Sequence, residues 1–314
     1  MNTTLILQEL IVGLATGAIY SLIALGYTMV YGIIELINFA HGDVFMIGSL
    51  MAIAVMSLLG INAASPPVGF ALVAILLFVC VATMVICALL GVAIERVAYR
   101  PLRNAPRLAP LISAIGISLI LEDVGKLWKG VTYVPFPQIF PQVTYTLGPL
   151  SINAVDIFVF VVACVLMVVL QWFVQGTSIG RAMRAVAQDR EAAALMGVNV
   201  DRIIAITFFI GAALAGAAGF IYGLKYGSTI FYIGYRYGLI AFTAAVLGGI
   251  GNIFGAMVGG IVIGIIEAEA SLISDSILPH GGSAWSGAII FAILILILIF
   301  RPSGLFGQHT PDKV

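Results

Sequence analysis

The chain reads as a series of long apolar runs separated by short polar breaks. A hydrocarbon core about 30 Å thick is crossed by roughly 20 helical residues. Such runs fall at Leu5–Ile34, Val44–Leu59, Val68–Ile94, Leu108–Leu121, Ile157–Phe173, Ile203–Leu224, Leu239–Ile250, Ile253–Leu272 and Gly287–Phe300. The pattern predicts an all-α polytopic membrane bundle of about nine transmembrane helices, with eight to ten compatible, forming a single domain over 1–314. Leu108–Leu121 and Leu239–Ile250 are short, and each is expected to be re-entrant or broken rather than a clean crossing. The first ten residues hold no Lys or Arg, so the basic start of a secretory leader is missing and the first run is expected to stay as a helix.

Composition agrees with a lipid-embedded chain. Of 314 residues, 62% are hydrophobic and 9% are charged, against roughly 25% charged in a soluble domain. This excludes a soluble globule, a disordered chain and a disulfide-rich secreted domain. The formal net charge is zero, so no global field attracts nucleic acid. The cysteines Cys80, Cys87 and Cys164 are scattered, and His41, His280 and His309 lie too far apart for a metal cluster. There is no HExxH motif, no pair of intramembrane aspartates and no Ser–His pair at matched depth. The expectation is a protein that is not an enzyme and holds no metal or cofactor.

Basic residues give the orientation. Arg96, Arg100, Arg103 and Arg107 share one polar stretch, Arg181, Arg184, Arg190 and Arg202 share another, and Arg301 and Lys313 follow the last run. Nine alternating spans place these on one side and leave Lys126, Lys129, Lys225 and Arg236 on the other. The positive-inside rule then predicts an outer N-terminus and a cytoplasmic C-terminus. The external segment at 126–156 carries Pro135, Pro137, Pro141 and Pro149, which forbid a long helix. It is either a structural cap or a surface that meets a partner.

Small residues recur at four-residue spacing. Gly211, Ala215 and Gly219 form a ridge continued by Gly223, and Gly255 with Gly259 and Gly260 with Gly264 form two more. In lipid, such ridges let helix backbones approach closely. Gly248, Gly249 and Gly251 divide two apolar runs and predict a tight turn or helix break.

The polar interruption at 176–202 is built like helices rather than a loop. Thr177 or Ser178 can cap a first helix through about Ala187, Asp189 a second, and Asn199 the next span, while Gly197 can end the second in the left-handed conformation. Ala192, Leu195 and Met196 share a face of the second helix, and Glu191 sits in its first turn, where a carboxylate suits the helix dipole. The helix either docks a partner or seals the inner face of the bundle.

Some polar residues lie close to the membrane. Glu35, Asn38, His41 and Asp43 join the first two runs, as a hydrogen-bonded turn or as a gate on the cytoplasmic exit. Glu267 and Glu269 sit in a late span, two residues apart and so on different sides, and Glu267 is the deeper pathway candidate. Glu122 and Asp123 beside Lys126 and Lys129 suggest an interfacial anchor.

Several stretches resemble one family. Glu191-Ala-Ala followed after three residues by Gly197 resembles the EAA loop of ABC importer permeases. The run Tyr31–Asp43 (YGIIELINFAHGD), Glu95–Arg103 (ERVAYRPLR), Leu111–Gly116 (LISAIG) and Phe242–Gly251 (FTAAVLGGIG) resemble LivH-type permeases of branched-chain amino acid ABC importers. The likeness runs from about Gly17 to Gly304 and skips the external segment. It implies a multi-pass subunit of a bacterial inner membrane, working with a second related permease, two cytoplasmic ATPases and a periplasmic amino-acid-binding protein. It also implies that Arg181, Arg184, Glu191, Ala192, Ala193, Leu195, Met196 and Gly197 couple the chain to the ATPase. No GxxxxGK[ST] phosphate loop occurs, so ATP is expected on the partner subunits. Two alternatives stay open: an ABC permease for another small solute such as urea, an amide or a sugar, and a stand-alone secondary carrier. A carrier needs no docking helix and more often buries an ion-coupling acid at mid-membrane.

Overall fold

The computed structural model describes residues 3–307 apart from 62–68, 104, 107, 142, 274–276 and 278–280. Arg107, His280, His309, Lys313 and the expected start of the third run at Val68 lie outside the described residues. Among those described, eight helices are long and apolar enough to cross a membrane, and a shorter apolar helix joins them. In chain order they are α1 (Thr3–Ile34), α2 (His41–Leu58), α3 (Phe70–Ile94), α4 (Leu108–Lys129) and α5 (Ala154–Gly176), then two short helices, α6 (Ser178–Gln188) and α7 (Arg190–Leu195). They are followed by α8 (Val200–Tyr226), the shorter α9 (Ile233–Gly248), α10 (Ile253–Ser271) and α11 (Gly281–Phe300).

Two expectations change. The fourth run extends to Lys129 and is a helix of full crossing length, because Glu122, Asp123, Lys126 and Lys129 occupy helical positions instead of starting a loop. The Glu95–Arg103 stretch, expected as a loop, carries α3 onward through a π turn (Glu95–Tyr99) and a 3-10 turn (Arg100–Leu102).

α1 and α8 form the centre of the bundle, and α4, α5 and α11 lie at its periphery, exposing Leu127, Trp172 and Phe300. The small-residue ridges lie where backbones meet. Gly211 faces Gly26 of α1, Gly219 faces the α2 backbone at Phe45–Ser49, and the ridge passes the Gly48 region at Ala215. On α10, Gly255 and Gly259 face Gly248 and Ala244 of α9, while Gly260 and Gly264 face Ser21 and Gly17 of α1. A Cβ at Gly264 would overlap the Gly17 backbone, so this approach requires glycine. The α9–α10 turn uses Gly249 (φ +106°) and Gly251 (φ +89°). Below it, Leu305 and Phe306 donate backbone N–H bonds to the Leu247 and Gly248 carbonyls at 2.8 and 3.0 Å.

Two extended segments re-enter the bundle from opposite ends. After α1, Glu35 takes φ +58°, and the chain turns back inward. His41, the first residue of α2, packs edge-on against Tyr27 with ring centroids 4.8 Å apart and lies beside Gly26. That is roughly eight residues, or about 12 Å, up α1 from its end at Ile34. After α8, strand β4 (Ser228–Thr229) pairs antiparallel with β1 (Val134–Pro135) of the external segment. The Thr229 and Ser49 hydroxyls lie 2.6 Å apart. The starts of α2 and α9 then meet backbone to backbone, Gly42 against Gly234 and Gly238.

The segment between α4 and α5 is folded. Phe136 is buried against Phe220, and its N–H donates to the Gly227 carbonyl at 2.9 Å. A hairpin of β2 (Thr144–Leu147) and β3 (Leu150–Asn153) ends in Asn153, whose side chain accepts from Val155 N–H and caps α5. Ser151 exchanges two hydrogen bonds with the Gln8 amide of α1.

Candidate coupling surface and translocation site

The 176–202 stretch is fixed by four local caps. Thr177 Oγ1 accepts from Gly180 N–H at 3.0 Å and starts α6. Asp189 Oδ1 accepts from Glu191 and Ala192 N–H at 2.9 and 3.0 Å and starts α7. Asn199 Oδ1 accepts from Arg202 N–H at 3.0 Å and starts α8. Gly197 has φ +84°. Its N–H donates to the Ala194 carbonyl and that of Val198 to the Ala193 carbonyl, both at 3.0 Å. These two bonds form a Schellman motif that satisfies the last carbonyls of α7.

The short helix shows its apolar side chains to solvent. Leu195 is 90% exposed and Met196 85%, and Glu191, Ala192 and Gly197 are exposed with them. Ala193, grouped above with the docking residues, is 4% exposed and faces its own bundle. At roughly 100° per residue it leaves the face that Ala192, Leu195 and Met196 share. The exposed surface is therefore Ala192, Leu195 and Met196, and Ala193 is a packing residue of this chain. Arg181 is exposed. Arg184 donates to the Val174 carbonyl in the last turn of α5, where a cation suits the negative end of the helix dipole.

Arg190 ties this surface to the membrane core. Its Nε and Nη2 donate to the Ile33 carbonyl at 3.1 and 2.5 Å, bridging the start of α7 to the last turn of α1. The bridge borders a cavity of about 480 Å³, walled by Glu35, Tyr99, Arg103, Gln188, Arg190 and Glu191. Arg103 pairs with the buried Glu95 and, from its other nitrogen, with Asp201 at the start of α8. Arg100 adds a 2.9 Å bridge to Asp201. That second bridge is half exposed and contributes little by itself, whereas the buried Glu95 requires its partner. The polar stretch after α3 is thereby clamped to the start of α8.

The polar residues between α1 and α2 are buried. Asn38 is 4% exposed, His41 2% and Asp43 1%. Tyr99 Oη donates to Asn38 Oδ1 at 3.1 Å, and Ser118 of α4 donates to Asp43. They hold the re-entrant segment in place. Glu267 sits elsewhere, accepting from Tyr20 Oη beside a packed group formed by Tyr20, Tyr222, Tyr226 and Tyr237. It lines a cavity of about 240 Å³ together with Glu9, Tyr226 and Arg236. Among the described residues, no group of three His, Cys, Asp or Glu side chains is arranged to hold a metal.

The family described as "Branched-chain amino acid transport system / permease component" matches residues 10–298. The chain belongs to this family. It is a multi-pass inner-membrane transport permease and not a member of an enzyme family. The permease is 44% identical to the high-affinity branched-chain amino acid transport system permease protein LivH of Escherichia coli K12, over 98% of this chain and 97% of that one. It is 42% identical to the corresponding BraD of Pseudomonas aeruginosa, over 98% of each. A probable branched-chain amino acid transport permease protein LivH of Methanocaldococcus jannaschii is 30% identical over 91% of this permease and 88% of the relative. No solved structure matches it.

Four contributors to these sites escaped the sequence reading: Arg190, Tyr99, Ser118 and Tyr20. Each acts on a partner far along the chain, and no local spacing signals such a contact. Arg236, expected on the same side as Lys126, Lys129 and Lys225, lies in the first turn of α9 and lines the cavity beside Glu267.

Proposed function

We propose that this permease is one translocating half of an ATP-driven importer for branched-chain, hydrophobic amino acids. The family match over residues 10–298, with near-full-length relatives named for that transport, carries the reading. A second related permease completes the pathway, two cytoplasmic ATPases drive it, and a periplasmic binding protein delivers the amino acid. The N-terminus faces outward and the C-terminus the cytoplasm.

In this reading α7 seats in an ATPase groove through Ala192, Leu195 and Met196. Those side chains are exposed on a short helix whose caps are complete, so docking costs little ordering. The Arg190–Ile33 bridge would pass movement of α7 to the end of α1 and the re-entrant segment beyond it. Asn38, His41 and Asp43 would respond as one buried unit, and Glu267 would border the outer part of the pathway.

The test is uptake of labelled leucine into cells or proteoliposomes holding the permease with its second permease, ATPases and binding protein. ATP-dependent leucine uptake that disappears when this chain is omitted is expected. Uptake of another solute class with none of leucine would overturn the cargo, and uptake without ATP would favour a carrier.

A further inference from the structure

The outer cavity brings acidic and basic side chains together with no ion pair between them among the described residues. Its lining brings together Glu9 and Thr16 of α1, Arg236 of α9, Glu267 of α10 and Ser286 of α11. Glu267 accepts from Tyr20 through Oε2 and forms no ion pair among the described residues. Among the described residues Arg236 forms no ion pair; its guanidinium lies 5.8 Å from the Tyr237 ring centroid. Glu9 has no ion pair or hydrogen bond there either. Two carboxylates and one guanidinium thus share a cavity without neutralising one another. Unpaired carboxylates in a membrane-spanning bundle are costly and face an aqueous or ligand space, and Arg236 stands exposed at the rim of this one.

The dimensions narrow the ligand. A volume of about 240 Å³ equals about eight waters at roughly 30 Å³ each, the size of one small organic molecule. Val12 and Ala268 supply apolar wall beside the charges. A ligand that satisfies all three features carries an ammonium, a carboxylate and a short apolar side chain.

We propose that this cavity is a binding site for the zwitterionic head of a free amino acid. Arg236 holds the carboxylate, Glu267 with Glu9 holds the ammonium, and Val12 and Ala268 border the side chain. The site is an outer receiving station for the cargo, and as a statement about cargo it rests on the function proposed above.

The test is binding of radiolabelled leucine to the full chain in nanodiscs, with competition by leucine, leucine amide and isocaproate. Leucine amide lacks the carboxylate and isocaproate lacks the ammonium. Saturable leucine binding is expected, with each analogue competing about tenfold or more weakly, because each forfeits one charge-assisted contact. Arg236→Gln should weaken leucine about tenfold and abolish the difference between leucine and its amide. Glu267→Gln should abolish the difference between leucine and isocaproate. No saturable binding, or equal competition by all three ligands on the unaltered chain, would overturn the proposal without reference to any variant. Unchanged discrimination in Arg236→Gln would also overturn it. Leucine uptake without binding here removes the site and leaves the importer reading standing; binding without leucine uptake does the reverse.

Discussion

Gly197 allows α7 to be loosened without touching the membrane core. Its φ is +84°, and a Cβ built there would meet nothing within 4 Å. The cost of a side chain is therefore backbone strain alone. The left-handed conformation costs an L-residue about 1–2 kcal/mol, with Ala near the low end and the β-branched Val at or beyond the high end. Asn tolerates this conformation much better. A loss of about 1 kcal/mol is roughly a fivefold shift toward a frayed α7, since the Gly197 and Val198 bonds to Ala194 and Ala193 hold its last turn. The expected order is Gly197→Asn close to the parent, then Gly197→Ala, then Gly197→Val. It should appear twice: in amide hydrogen exchange over 189–200, and in the amount of ATPase that co-purifies. Membrane levels should stay equal, because the spans bury their apolar surface regardless of α7. If Gly197→Asn lost as much ATPase as Gly197→Val, side-chain bulk at an interface would be the cause and the strain argument would fail. If fraying rose while co-purification stayed whole, α7 would be no coupling element.

Other expectations follow from burial and packing. Leu195→Asp, at a 90% exposed position, should leave membrane levels and melting unchanged yet reduce ATPase co-purification. Ala193→Asp, at a 4% exposed position, buries an unpaired charge at a cost of about 3 kcal/mol and should lower the melting temperature of the isolated permease. Gly264→Leu drives a side chain into the Gly17 backbone and should cost about 3 kcal/mol or more, measured as earlier thermal unfolding in detergent. In a chain without native cysteines, Ser178→Cys should react with an impermeant maleimide only from the cytoplasm and Thr132→Cys only from outside; the reverse would invert the orientation.

Local chemistry was the part most legible in the sequence. Asp189, Asn199 and Gly197 announce helix ends through rules that involve only a few neighbouring residues, and the order α6–α7–α8 follows from them. The ridges at Gly211–Gly219 and Gly255–Gly259 were visible by spacing, but spacing could not say which helix each would face. α4 was cut short at Leu121 because a hydropathy scan reads Glu122–Lys129 as an exit from the membrane. In the structure that stretch stays helical, beginning one turn beyond Ser118, which reaches the buried Asp43. α9 was misjudged in the same way, starting at Ile233 rather than Leu239 because Tyr232–Tyr237 looks interfacial. The re-entry at 35–40 and the Arg190–Ile33 bridge are products of tertiary packing, and no periodicity along the chain encodes them.

The two inward-folded segments constrain how the protein can be made. Non-helical backbone is tolerated at membrane depth only where other protein surrounds it. The stretch after α1 leans on Tyr99 through Asn38, and the adjoining start of α2 leans on Ser118 through Asp43. When α1 and α2 leave the ribosome, neither partner has been synthesised. The stretch after α8 is better provided, since Val134–Pro135 and Ser49 precede it. Biogenesis is therefore asymmetric: the first half must wait, incompletely seated, for α3 and α4, whereas α9 can enter a template already standing. A nascent chain arrested just after α2 should be open to proteases and quality control at 35–40, and one arrested after α4 should be protected.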